Sequence, residues 1–152
     1  RLYGLQCVIL RYFTVYGPRQ RPDEAIFKFT RLARDGKPVV VYGDGTQTRD
    51  FTYVSDTVAG TRLALEKDIS GVFNLGSGER ISVNDLITLL ESAIGKKLTR
   101  VRAERHRGDV NHTQANIEKA RQEFGYQPEV KIPEGIKFFY EWFCDCAVGN
   151  QA

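Results

Sequence analysis

Apolar positions recur along this chain in two rhythms, and the change from one to the other marks out its elements. Cys7 to Phe13 is a short run rich in β-forming residues and predicts a buried strand, with Gly17-Pro18 as the loop that ends it. From Glu24 to Asp35 the spacing turns helical, with Ile26, Phe29, Leu32 and Ala33 on one face and Gly36 as the stop. Val39 to Tyr42 predicts a second strand, closed by Gly43-Asp44-Gly45, with Arg49 to Val54 returning as the other arm of a hairpin. Ser55 is placed to cap a helix to about Lys67 that would bury Val58, Ala59, Leu63 and Leu65.

Val72 to Leu75 predicts another short strand, followed by Gly76-Ser77-Gly78. Ser82 then caps a helix to about Ile94, with Leu86, Leu89, Leu90 and Ile94 on its apolar face and Gly95 as the stop. Leu98 to Ala103 alternates apolar and basic residues, as an edge strand does, and Arg105 to Gln114 is a polar loop. Asn116 caps a short helix ending at Gly125, Pro128 interrupts the chain, and Pro133 opens a last helix from Glu134 to about Cys146. Ile136, Phe139, Tyr140 and Phe143 share one side of that helix. This order, without repeat or linker, implies an α/β or α+β fold in one domain spanning residues 1–152.

Composition narrows the class. Apolar residues at 41% and charged residues at 27% are ordinary for a globular chain and argue against disorder. No apolar run approaches the roughly 20 residues of a membrane helix, so no membrane partner is expected. Arg1 to Leu5 does not read as a signal peptide, and with no Met anywhere the numbering is expected to start inside a longer chain. A net charge of +3 is too mild to argue for nucleic acid. Basic residues do cluster over 96–107, either as a solvated face or as an anion site, with no interleaved aromatic to stack on bases. Cys7 reads as a small buried hydrophobe, and Cys144-Asp145-Cys146 lacks redox or zinc spacing. With His106 and His112 the only histidines, no metal site is expected, and a reducing, cytoplasmic setting fits.

Two familiar chemistries are missing. Gly43-Asp44-Gly45 sits in a turn rather than before a helix, and Gly76-Ser77-Gly78-Glu79-Arg80-Ile81 ends in a branched residue where close helix–strand packing asks for glycine. Neither reads as a dinucleotide loop; the second reads as a turn feeding the helix capped by Ser82. None of the seven tyrosines has a Lys four residues on, the spacing that lets an ammonium activate a phenol as base. No catalytic residue is assigned.

Five segments, in order, carry a resemblance: Leu10 to Gln20, Val41 to Asp56, Asn74 to Gly78, Gly108 to Val110, and Gly125 to Pro128. Together the chain resembles the NAD-dependent nucleotide-sugar epimerases and dehydratases, the extended short-chain dehydrogenase/reductase family, with the likeness strongest toward UDP-glucose 4-epimerase and its relatives. The resemblance implies the C-terminal, substrate-binding lobe, lacking the Rossmann half with its glycine-rich loop and Tyr-x-x-x-Lys pair; residues 7–13 would be the remnant strand of the cofactor sheet. It also implies a UDP-sugar partner, NAD bound by the full-length protein but not tightly by this piece, and no turnover by this chain alone. The alternative is a stand-alone interaction module without a catalytic half, with self-association through the exposed strand 7–13.

Carried over by position, Arg49 matches the arginine that holds the diphosphate, as its planar fork suits; otherwise it pairs with a neighbouring carboxylate. Tyr42 matches the aromatic against the uracil, or is a core aromatic. Val40 matches the backbone contact to that base. Asp109 matches the acceptor of ribose hydroxyls, or is a turn former. Phe13 and Thr14 match the sugar–diphosphate lining, with Thr14 where the family usually has Asn. Tyr12 would lie near the nicotinamide, or pack in its strand. His106 stands where an arginine is common, with Arg105 or Arg107 beside it as a substitute clamp on the phosphate.

Overall fold

The computed structural model describes residues 4–105 and 107–149, with side chains to Cys146. Eight short strands and five helices alternate along it. The strands form four two-stranded pairs rather than one sheet. β1 (Val8–Tyr12) runs parallel to β6 (Gly71–Leu75), and β2 (Thr14–Tyr16) parallel to β5 (Phe51–Tyr53). β3 (Val39–Tyr42) runs parallel to β8 (Arg100–Ala103), and β4 (Thr48–Arg49) antiparallel to β7 (Ile81–Ser82). Phe13 hands the chain from one pair to the next: its N–H reaches Leu75 O at 3.1 Å, and the Thr14 N–H reaches Asp50 O at 3.2 Å.

The expected hairpin between 39–42 and 49–54 does not form. Its two arms pair elsewhere: β3 with β8, and the second arm, split into β4 and β5, with β7 and β2. The reason lies in the turn. Gly45 has φ +79°, and a Cβ there would fall 2.4 Å from Asn84 Oδ1. The turn therefore seats on the start of α3 (Val83–Ile94), where Asn84 Nδ2 donates to Asp44 O at 2.9 Å and Asn84 N–H to Gly45 O at 3.1 Å. Ser82 caps α3 as expected, accepting the Asp85 N–H at 3.0 Å, and Gly95 closes it with φ +75°.

Two apolar cores result. The larger gathers α1 (Ala25–Arg34), β3, β5, α3 and α5 (Ile132–Gly149), through Ile26, Phe29, Val39, Leu86, Leu90 and Phe139. The smaller packs β6 and α4 (Glu118–Phe124) around Phe73, Leu75, Phe124 and Tyr126. On α3 the buried stripe also includes Ile87 and Glu91.

The face of α2 (Val54–Leu65) differs from expectation. The helix begins one residue before Ser55, and it buries Asp56, Thr57, Gly60 and Ala64. Val58 and Leu65 are exposed, at 61% and 82%. Small residues line the buried side because the Tyr126 ring lies 2.7 Å from where a Gly60 Cβ would be. β1 is likewise not buried: Ile9 is 54% exposed, Tyr12 51%, and Cys7 lies at the surface. Its register partner β6 covers one edge only. Exposed Ile9 and Val72 sit side by side in the register, so apolar residues remain on the open face of the pair.

Two buried carboxylates tie segments together. Asp50 is fully buried; Oδ1 accepts Ser77 N–H at 2.8 Å and Ser77 Oγ at 2.7 Å, and Oδ2 accepts Gly78 N–H at 3.1 Å and Ala115 N–H at 2.9 Å. Because both oxygens accept from main-chain N–H groups, an amide turns an NH2 toward donors. Asp50→Asn is expected to cost about 3 kcal/mol, read from the midpoint of a urea melt; a change within error would remove Asp50 from this role.

Glu91 accepts the Leu98 N–H at 3.0 Å and pairs with Lys97 and Arg100. Burial pushes its carboxyl up, but these hydrogen bonds and the Arg100 charge outweigh it and hold the group at about 2, below the ordinary 4.5. A depressed value means that stability from this group is complete above pH 4.5 and is lost as pH falls through about 2. Denaturation across that window should show a loss that Glu91→Gln flattens, while at neutral pH the substitution costs about 2 kcal/mol.

Candidate functional site

Two clefts are lined by residues at or bonded to the β4–β5 junction. The smaller, about 240 Å³, is lined by Lys28, Val40, Tyr42, Arg49, Phe51 and Asp109 among others. β3 supplies Val40 and Tyr42 by its alternation, while Val39 and Val41 are buried in the core and Val41 also borders the cleft. Arg49 reaches the same cleft from β4, and Asp109 from the loop after β8. Tyr42 and Arg49 thus share one concavity although no ladder joins their strands.

The Arg49 guanidinium is held at several points. Nη2 donates to Asp109 Oδ1 at 2.5 Å, and Nη1 donates to Thr48 O at 2.8 Å and Asn111 O at 3.4 Å. Arg105 meets the same residue: its Nη2 donates to the Asp109 main-chain carbonyl at 3.0 Å, and its Nε lies 3.8 Å from the carboxylate Oδ2. Its side chain also runs past Gly43. Of the two arginines that flank position 106, Arg105 is therefore the one that meets Asp109; Arg107 is exposed and lines neither cleft. His106 lies outside the described residues.

The larger cleft, about 760 Å³, is walled by Tyr12, Phe13, Thr14, Arg19, Arg21 and Thr113 among others. Tyr12 hydrogen-bonds Thr61 at 3.1 Å through its hydroxyl and leaves half its ring exposed. Tyr16 also borders this cleft, but burial first, then Tyr53, Asp56 and Glu134, push its phenol far above the ordinary range. It stays protonated near neutral pH and cannot act there as a base. Among the described residues no group of acidic, His or Cys side chains could hold a metal ion.

Sequence reasoning missed Asp50, Arg19, Arg21, Lys28 and Thr113. A signal was present for Asp50: an acidic residue within a run of strand formers is disfavoured unless it has buried partners. The Gly76-Ser77-Gly78 turn does bind an anion through its N–H groups, and that anion is Asp50. Asp50 also joins the clefts, since its carbonyl accepts Thr14 N–H and its N–H meets Thr113 Oγ1 at 3.4 Å. Arg19 has φ +64°, the only non-glycine residue in the left-handed region among those described. Arg19→Gly should therefore raise stability by about 0.5–1 kcal/mol in thermal denaturation; a loss of stability would show that its side chain holds the loop.

The arrangement is that of the C-terminal portion of an extended short-chain dehydrogenase/reductase. The chain belongs to the nucleotide-sugar epimerase and dehydratase family, matching over residues 1–139 the family model described as GDP-mannose 4,6 dehydratase. It is 45% identical over 142 residues to a UDP-glucuronate 4-epimerase of Thermodesulfobacterium geofontis, which covers 93% of this chain and 44% of that relative. Among solved structures it is similar to a point mutant of the Bacillus cereus UDP-glucuronic acid 4-epimerase, in complex with UDP-4-deoxy-4-fluoro-glucuronic acid and NAD. That match has 44% identity and a TM-score of 0.87 over 91% of this chain and 45% of the other. It is also similar to the Thermotoga maritima UDP-glucose 4-epimerase with UDP-glucose, at 37% identity and a TM-score of 0.90 over 95% of this chain and 48% of the other. The chain spans less than half the length of these proteins.

Proposed function

We propose that this chain is the UDP-sugar-binding part of an NAD-dependent nucleotide-sugar 4-epimerase. The observation that supports this most is the convergence of Val40, Tyr42, Arg49 and Asp109 on one cleft from three separate segments. In this reading Tyr42 lies against the uracil and the Val40 main chain meets its edge. Arg49 and Arg105 take the diphosphate with His106, and Asp109 takes the ribose hydroxyls. Phe13 and Thr14 line the path of the sugar into the larger cleft.

NAD, bound by the whole protein, would supply hydride exchange at the sugar's C4. The residues here fit only its nicotinamide end: the half-exposed Tyr12 ring offers a flat face, and the glycine-rich turn ahead of α3 gives its Ser77 and Gly78 N–H groups to Asp50 rather than to a pyrophosphate. This chain contributes binding and orientation. The sugar class is a hexose or its uronate. Arg19 on the larger cleft favours the uronate, whose carboxylate a guanidinium can pair, while Arg21 there is held by Glu24; relatives named for UDP-glucuronate point the same way.

UDP is expected to bind the chain, with Arg49→Met weakening it at least about tenfold and Tyr42→Ala about fivefold, measured by calorimetry. Backbone NMR shifts should centre on 40–49 and 109. No perturbation at millimolar UDP would sink this reading, and so would epimerase turnover without any other polypeptide, since no base is assigned here.

A second reading, a self-associating interaction module, is favoured by the open edge of β1 and the exposed Ile9, Val58 and Leu65. Light scattering that finds a monomer resistant to concentration would count against it. The free thiols of Cys7, Cys144 and Cys146 support a reducing, cytoplasmic setting.

A further inference from the structure

The Arg49–Asp109 pair has a consequence for which anions the cleft accepts. Arg49 does not present a bare positive charge. Asp109 Oδ1 lies against Nη2, and the two side chains are only 20% and 30% exposed, so water screens them incompletely. Arg105 is drawn into the same carboxylate. Thr48 O and Asn111 O hold Nη1, which leaves the guanidinium little freedom to swing away from Asp109. A small anion approaching Arg49 therefore meets a cation already paired with Asp109, whose carboxylate it must displace. To gain the guanidinium it must weaken the ion pair and leave a half-buried carboxylate without its counter-charge.

A ligand that brings hydroxyl donors together with its phosphates escapes this penalty. Its hydroxyls satisfy Asp109 while its phosphate oxygens take Arg49, so each partner of the ion pair is compensated as the pair loosens. We infer that Asp109 makes this cleft selective for sugar-bearing diphosphates over inorganic phosphates, by holding Arg49 in an internal ion pair that only a ligand carrying both hydroxyls and phosphates can replace. Asp109 is thus a specificity-determining residue through a repulsive element as well as an attractive one. This rests on the nucleotide reading of the cleft given above.

The test compares three probes, inorganic pyrophosphate, uridine and UDP, on the native chain and on Asp109→Asn, with thermal melts confirming that the variant is folded. Removing the charge should strengthen pyrophosphate binding about fivefold and weaken uridine binding by a similar factor. UDP affinity should move less than either, because the two effects oppose. Asp109→Ala, which removes the acceptor altogether, should repeat the gain for pyrophosphate. If native chain binds UDP but pyrophosphate affinity is unchanged or falls in both variants, the selectivity role is overturned while the nucleotide site stands. If UDP fails to bind native chain, the nucleotide reading falls, and this inference falls with it.

Discussion

The buried carboxylate of Asp50 is the constraint on which both clefts depend. Arg49, its neighbour, faces the smaller cleft; the Asp50 carbonyl holds Thr14 and its N–H meets Thr113, both at the larger one. Its side chain meanwhile fixes the Ser77-Gly78 turn and the main chain at Ala115. A charge with no access to water must be met by donors; Thr52 Oγ1 at 3.3 Å is local, and the other four come from distant segments. Local strand pairing alone would not do this, because β2–β5 and β4–β7 are only two or three residues long.

Electrostatics thus plays two roles within one short stretch. At 50 the negative charge is buried and fully hydrogen-bonded, which makes it a structural tie. At 49 the positive charge is part-exposed, partnered from a loop and placed at the rim of a cleft, which makes it available for exchange. Glu91 repeats the first pattern on the far side, where it ties the end of α3 to the start of β8 through Leu98 and Arg100. The basic cluster over 96–107 accordingly divides. Lys97 and Arg100 serve Glu91, while Arg105 serves Asp109. A run of like charges in sequence became two separate ion-pair groups because a strand lies between them.

The elements were legible where local chemistry decides them: the Ser82 cap and Gly95 stop of α3, the glycine after α4, and the core face of α5 with Ile136, Phe139 and Phe143. Misreadings arose where long-range partners overrule local preference. Gly43-Asp44-Gly45 has hairpin chemistry, but the start of α3 captured the turn. Val58 and Leu65 have core chemistry, but Tyr126 claimed the other side of α2. Cys7 to Phe13 has the composition of a strand covered on both faces, yet among the described residues it lies mainly against β6 and α2.

By itself the sequence determined the alternation of short strands and capped helices, the family, and the residue types at 40, 42, 49 and 109. Periodicity, caps and motif order are properties of neighbouring residues, so they survive without a structure. Only the tertiary structure decided that those four positions share a concavity, that Arg105 rather than Arg107 reaches Asp109, and that Asp50 holds the two clefts in register. These are contacts between segments as many as 65 residues apart, and they are set by which buried charge finds which donor, a matter that spacing along the chain does not encode.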